Sequence, residues 1–74
     1  MGIAINKGRL GLNVAERRCR EGLTQSDLAA DAGLSVRTVV NVERGHRMPD
    51  LPTMLSLARA LSSTIDALLL GATE

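Results

Sequence analysis

The stretch from Thr24 to Gly45, TQSDLAADAGLSVRTVVNVERG, decides how the rest of this chain is read. Ala29, Gly33, Val39 and Val42 have the spacing of two short helices that cross closely. A small side chain at Ala29 lets the helices approach, and Gly33 accepts the positive φ that ends the first of them. Val39 and Val42 then share one face of the second helix and point back at the first. Thr24 and Ser35 are the N-caps expected ahead of each helix, because a side-chain oxygen there satisfies an otherwise orphaned backbone N–H. The second helix is left with an outward face that carries Arg37 and Asn41.

Three more helices are expected around this pair. A first helix spans about Lys7 to Arg20, with Asn6 as its cap and Gly22 just past its end; Gly8 and Gly11 weaken its opening turns by up to about 1 kcal/mol each relative to alanine. The pair itself covers about Gln25–Ala32 and Val36–Arg44. After the polar loop GHRMPD, a fourth helix runs from about Leu51 to Leu61, with Pro52 tolerated in its first turn. Its apolar face is read as Leu51, Met54, Leu55, Ala58 and Leu61. A fifth, capped by Thr64, covers about Ile65 to Leu70 and stops at Gly71. The fold class is therefore all-α: a five-helix bundle in residues 7–71, preceded by a lead-in, residues 1–6, expected to be disordered.

With 74 residues there is room for one small domain, and with 45% hydrophobic residues and no aromatics its core must come from Leu, Val, Ile, Ala and Met. Such a core is modest, and small domains of this kind gain from oligomerisation. The single Cys19 offers no internal disulfide, which favours a reducing compartment. No apolar run approaches the length of about 20 residues that spans a bilayer, so a cytoplasmic location is expected. Net charge is only +1. It is unevenly placed: Arg37, Arg44 and Arg47 meet a single acid, Glu43, between residues 35 and 47, whereas Asp50, Asp66 and Glu74 outnumber Arg59 beyond it. A near-neutral total with one basic face still permits phosphate binding.

The spacing RxxxGLTQxxLAxxAGLSxxTVxxxERG, followed by PxLxxMLxLAxAL and IDxLL, resembles the phage-repressor and Cro-like helix-turn-helix family over about Leu10 to Leu69. The build is also similar to small restriction-modification controller proteins. That resemblance implies sequence-specific binding of double-stranded DNA and a homodimer on an inverted repeat. It further implies an ion pair between Arg18 and Glu43 that ties the first helix to the recognition helix. Two positions depart from the pattern. Ser62-Ser63 stands where the family prefers Gly-Val, which predicts a looser final helix, and Arg17 replaces a residue often apolar in relatives.

On the recognition helix, Arg37 near the start suits guanine O6 and N7, Asn41 one turn later suits adenine, and Val36 suits a thymine methyl. Gln25, Ser35, Thr38, Arg44 and Arg47 are the phosphate-backbone candidates, Gln25 because it opens a helix whose N–H groups already favour an anion. Leu68, Leu69 and Leu70 surround more of a short helix than one core covers, so the dimer interface is expected there. No cofactor or metal is expected, since His46 is the only histidine, and no catalytic constellation is present. Asp27 and Asp31 sit one turn apart as a solvated acidic face. In relatives such a face touches RNA polymerase, which makes that enzyme a further partner to consider. The reading from a different class is a protein-interaction module, such as the antitoxin of a toxin–antitoxin pair.

Overall fold

A computed structural model describes residues 2–73, and in it each helix begins on a polar side chain that bonds the third residue ahead. Asn6 accepts from the Arg9 amide at 2.9 Å and opens α1 (Lys7–Arg20). Thr24 opens α2 (Gln25–Ala32) with a reciprocal pair, its hydroxyl on the Asp27 amide at 3.0 Å and the Asp27 carboxylate on its own amide at 2.9 Å. Ser35 opens α3 (Val36–Glu43), Asp50 opens α4 (Leu51–Ala60) and Thr64 opens α5 (Ile65–Leu68). Each such cap is worth about 1 kcal/mol, and they act locally, so the helix starts follow from the sequence. Two caps bear charge. The Thr24 N–H and hydroxyl hold the Asp27 carboxyl below its ordinary value, and Thr53 does the same for Asp50.

Gly33, at φ 68°, ends α2 in the left-handed conformation, and the Leu34 amide reaches back to the Ala29 carbonyl at 2.8 Å. This sharp turn is what sets α3 across α2. Leu10, Val14, Leu28, Val39, Val42, Leu57, Leu61 and Leu68 are completely enclosed. Each aliphatic side chain of this kind contributes about 1.5–3 kcal/mol relative to exposure, so these few residues carry most of the folding drive in a chain without aromatics.

Three expectations are corrected. The inward face of α4 is Met54, Leu57, Ala58 and Leu61, whereas Leu51 is 70% exposed and Leu55 44%. The core lies toward α2 and α5, one position round from the stripe chosen on the sequence. Leu68, read as part of an interface, is instead sealed in the core, and Leu69 packs partly against it. Only Leu70 stands clear, at 77% exposure. Finally, α5 is a single turn: the chain bends through Leu70 and Gly71, bringing Ala72 into the core. That bend lets the Asn6 amide donate to the Ala72 carbonyl at 2.7 Å, and Ile5 pairs antiparallel with Thr73. Ile5 and Asn6 are thus fastened to the end of the chain rather than loose before α1.

The Ser62-Ser63 junction is held by means the sequence reading did not foresee. Ser62 takes φ 52°, the only left-handed residue other than glycine among those described. The Ser63 amide reaches the Ala58 carbonyl at 2.8 Å, closing α4 as a glycine-ended helix would close. A Cβ in that conformation is strained by about 1–2 kcal/mol, partly offset by the lower unfolded-state entropy of serine. Ser62→Gly should therefore stabilise the domain by about 0.5–1 kcal/mol. Thermal unfolding should register a Tm roughly 4 °C higher; an unchanged or lower Tm would show that this strain is absent.

Candidate functional site

Helix α3 turns Val39 and Val42 inward, which leaves Val36 and Arg37 exposed and Asn41 half-buried on the outer side. Arg37 and Asn41 lie one turn apart, so their ends project from neighbouring points of the same surface. Arg44 follows one turn beyond Asn41 near the helix end, with Arg47 exposed in the loop. The Arg37 and Arg44 guanidinium groups have no hydrogen-bond or ion-pair partner among the described residues.

The cations of α1 are used differently. Arg18 faces Glu43 with two bonds, Nε to Oε2 at 2.7 Å and Nη2 to Oε1 at 3.1 Å, and its Nη1 donates to the Leu23 carbonyl at 2.8 Å. Both side chains are largely out of water, 16% and 6% exposed. The Glu43 hydrogen bond raises the already high Arg18 pKa, with burial opposing it. Arg17 donates from Nε to the Leu61 carbonyl and from Nη2 to the Ser62 carbonyl, both at 3.0 Å. It also pairs with Glu21 at 3.1 Å. Arg9 bonds Asn13 at 3.0 Å and lies 3.8 Å from Glu16. The net charge of the chain thus understates its outer α3 face, where the guanidinium groups are available to an anion while Arg17 and Arg18 of α1 are held by partners within the fold.

The phosphate candidates separate on geometry. The Gln25 amide Nε2 donates to Glu43 Oε1 at 3.0 Å, so Gln25, Arg18 and Glu43 form one cluster joining α1, α2 and α3. Half of the amide's donor capacity remains, and Gln25 stands at the start of α2 where backbone N–H groups converge. Ser35 caps α3 through the Thr38 amide at 3.1 Å, and the Ser35 and Thr38 hydroxyls lie 2.9 Å apart. The Ser35 residue is exposed and Thr38 half-buried. Leu69 and Leu70 are far round on α5 and its following turn, and Leu68 is unavailable to any partner.

Three residues, Gly11, Asn13 and Arg17, hold α1 against the rest of the bundle. Gly11 is buried where α1 crosses the end of α3: a Cβ there would stand 2.5 Å from the Glu43 carbonyl oxygen and against that of Val42. A glycine inside a helix, unfavourable by propensity, was the available sign of that close approach. Asn13 donates to the Leu68 and Leu70 carbonyls, both at 2.8 Å, and with Arg17 it binds α1 to the end of the chain. Nothing in the local pattern marks such a partner.

Among the described residues there is no group of three or more His, Cys, Asp or Glu placed to hold a metal ion, and no helix long and apolar enough to cross a membrane.

The helix-turn-helix family pattern matches residues 14–68. The chain is 40% identical over 52 residues to an uncharacterized HTH-type transcriptional regulator, y4dJ, of Sinorhizobium fredii, a match that covers 70% of this chain and 68% of that protein. Its structure is similar to the restriction-modification controller protein C.AhdI of Aeromonas hydrophila, with a TM-score of 0.82 and 37% identity over 84% of this chain and 94% of the other. It is also similar to the P22 c2 repressor in complex with a synthetic operator, with a TM-score of 0.79 and 29% identity over 84% and 94% of the two chains.

Proposed function

The chain belongs to the helix-turn-helix family, and from that membership we propose that it is a transcriptional regulator of the repressor type that binds duplex DNA sequence-specifically. In this reading α3 lies in the major groove, and two copies bind an inverted repeat through the surface just past α5, at Leu70 and the outer side of Leu69. The observation that carries the proposal is that the Arg37 and Arg44 guanidinium groups are exposed and unpartnered on the outer face of α3, while Arg17 and Arg18 are held on partners within the fold. An exposed guanidinium with no internal partner engages a base edge without first breaking a protein contact.

Arg37 and Asn41 read base edges in this arrangement, and Val36 meets a thymine methyl. Gln25, Ser35, Thr38, Arg44 and Arg47 hold the phosphates on either side. Arg18 and Glu43 keep Gln25 and α3 in one register, so the same cluster supports both kinds of contact.

Selection of binding sites from random duplex DNA at low salt should return a palindromic motif. Arg37→Ala should remove preference at one base pair in each half-site, worth about 1–3 kcal/mol of discrimination, whereas Gln25→Ala should weaken all sequences alike. No enriched sequence for the wild-type chain would overturn the proposal. Uniform weakening by Arg37→Ala would move that residue from base reading to phosphate binding.

A further inference from the structure

Helix α5 is a single turn, anchored by Leu68 in the core with Ile65 and Leu69 packed against it, and it is followed at once by a bend. Its orientation is fixed further by polar bonds. Asn13 donates to the Leu68 and Leu70 carbonyls at 2.8 Å, and Arg17, one turn along the same face of α1, donates to the Leu61 and Ser62 carbonyls at 3.0 Å. These four acceptors lie at the ends of α4 and α5, where helices leave carbonyls without internal partners. Arg9 in turn holds the Asn13 amide oxygen at 3.0 Å, which leaves both Asn13 donors directed at α5.

The other side of α1 is equally committed. Gly11 lies directly on the backbone at the end of α3, and Arg18 grips Glu43 there. One helix therefore carries the DNA-reading element on one face and the α4–α5 end on another, both through backbone-level contacts. Such contacts do not slide as an apolar face can, because each donor has one carbonyl at one distance.

We infer that Asn13 and Arg17 are positioning residues that set how far apart two α3 helices stand in the paired protein, by locking the α5 surface onto the helix that also locks α3. This deepens the paired reading proposed above and rests on it. Neither residue touches DNA in that reading. Their effect is on the spacing between half-sites, not on the bases within one.

The test measures binding of the full chain to a single half-site and to inverted repeats whose spacer is varied one base pair at a time. The wild type should prefer one spacer. Arg17→Met and Asn13→Ala should leave half-site affinity within about twofold, flatten the spacer preference, and lower affinity for the best operator by about tenfold or more, since the advantage of two linked contacts depends on geometry. Arg17→Lys keeps one donor to a carbonyl but lacks the fork, so it should fall between. Circular dichroism at the binding temperature establishes that each variant is folded, and a role limited to stability would leave the spacer profile unmoved. Variants that keep the wild-type profile overturn the inference, as does loss of half-site and full-operator binding in equal measure. A wild type that binds half-sites with no preferred spacer overturns the paired reading itself and this role with it.

Discussion

Gly11→Ala is expected to destabilise the domain by about 3 kcal/mol or more, an unusual effect for the addition of one methyl group. The new Cβ would stand 2.5 Å from the Glu43 carbonyl oxygen and 2.9 Å from its carbon. Both are backbone atoms, so no side chain can rotate away to make room. Relief requires α1 and α3 to separate, which strains the Arg18–Glu43 pair and opens the core around Val14 and Val42. A domain of this size has about 5 kcal/mol in all, so a loss of this size removes more than half of it and raises the unfolded fraction at 25 °C by about a hundredfold. Gly8→Ala supplies the contrast. Its Cβ meets only the Asn6 side-chain oxygen, at 3.3 Å, and the gain in helix propensity of up to about 1 kcal/mol opposes that contact. Urea unfolding of the two variants should place them on opposite sides of, or at least several-fold apart from, the wild-type midpoint. Equal and small effects would mean that the α1–α3 crossing is looser than its geometry indicates. DNA binding is a second readout, because α3 cannot keep its place when α1 is pushed off its end.

Breaking the Arg18–Glu43 pair from one side should be nearly as damaging, at about 3 kcal/mol, the low end of the range for ion pairs removed from water, since Arg18 keeps some exposure. Arg18→Met leaves the Glu43 carboxylate enclosed with only the Gln25 amide against it, and leaves the Leu23 carbonyl without its 2.8 Å donor. Glu43→Gln keeps the shape and an acceptor and should cost less. The double variant Arg18→Met/Glu43→Leu should recover much of the loss, because no unpaired charge remains in the interior. Chemical denaturation of the wild type, both singles and the double gives the coupling directly; strictly additive losses would show that the two residues act independently. By comparison, Arg9 and Glu16 are 3.8 Å apart and well exposed, so removing Glu16 should change stability by well under 1 kcal/mol. The same cluster should matter for DNA binding, since Gln25 is held by Glu43.

Much of this molecule can be read from short spans of its chain. The boundaries expected for the first two helices, and the start expected for each of the others, coincide with α1 to α5 because capping acts over three or four residues. A Thr24 or Ser35 hydroxyl needs only the next turn to find its partner. The inward valines of α3 were legible for a similar reason, since three-residue spacing fixes a shared face whatever lies opposite. It follows that the outward set, Val36, Arg37 and Asn41, was legible too, although what these side chains contact is a matter for the DNA-binding measurements above.

The rest belongs to partners distant in the sequence. Asn13 and its acceptor at Leu68 are 55 positions apart, and Arg17 and Leu61 are 44 apart. No periodicity encodes such a bond, so Arg17 stood out only as a departure from relatives that often carry an apolar residue there. Helix α4 has leucines on both sides, and only the placement of α2 and α5 decides that Leu57 goes in and Leu51 and Leu55 stay out. Leu68, Leu69 and Leu70 were equivalent as letters; the bend at Leu70 and Gly71 makes one a core residue, one a flank and one a surface group. Gly11 carried a trace of its role, as a glycine in an unfavourable place, but the carbonyl that requires it is on another helix. The sequence by itself determined where helices begin and which side of α3 faces outward, because those outcomes depend on hydrogen bonds and spacings within a turn or two. Tertiary structure alone decided how α1 joins α3 to the end of the chain, because that union is made by close backbone approaches and carbonyl acceptors brought together only when the whole bundle closes.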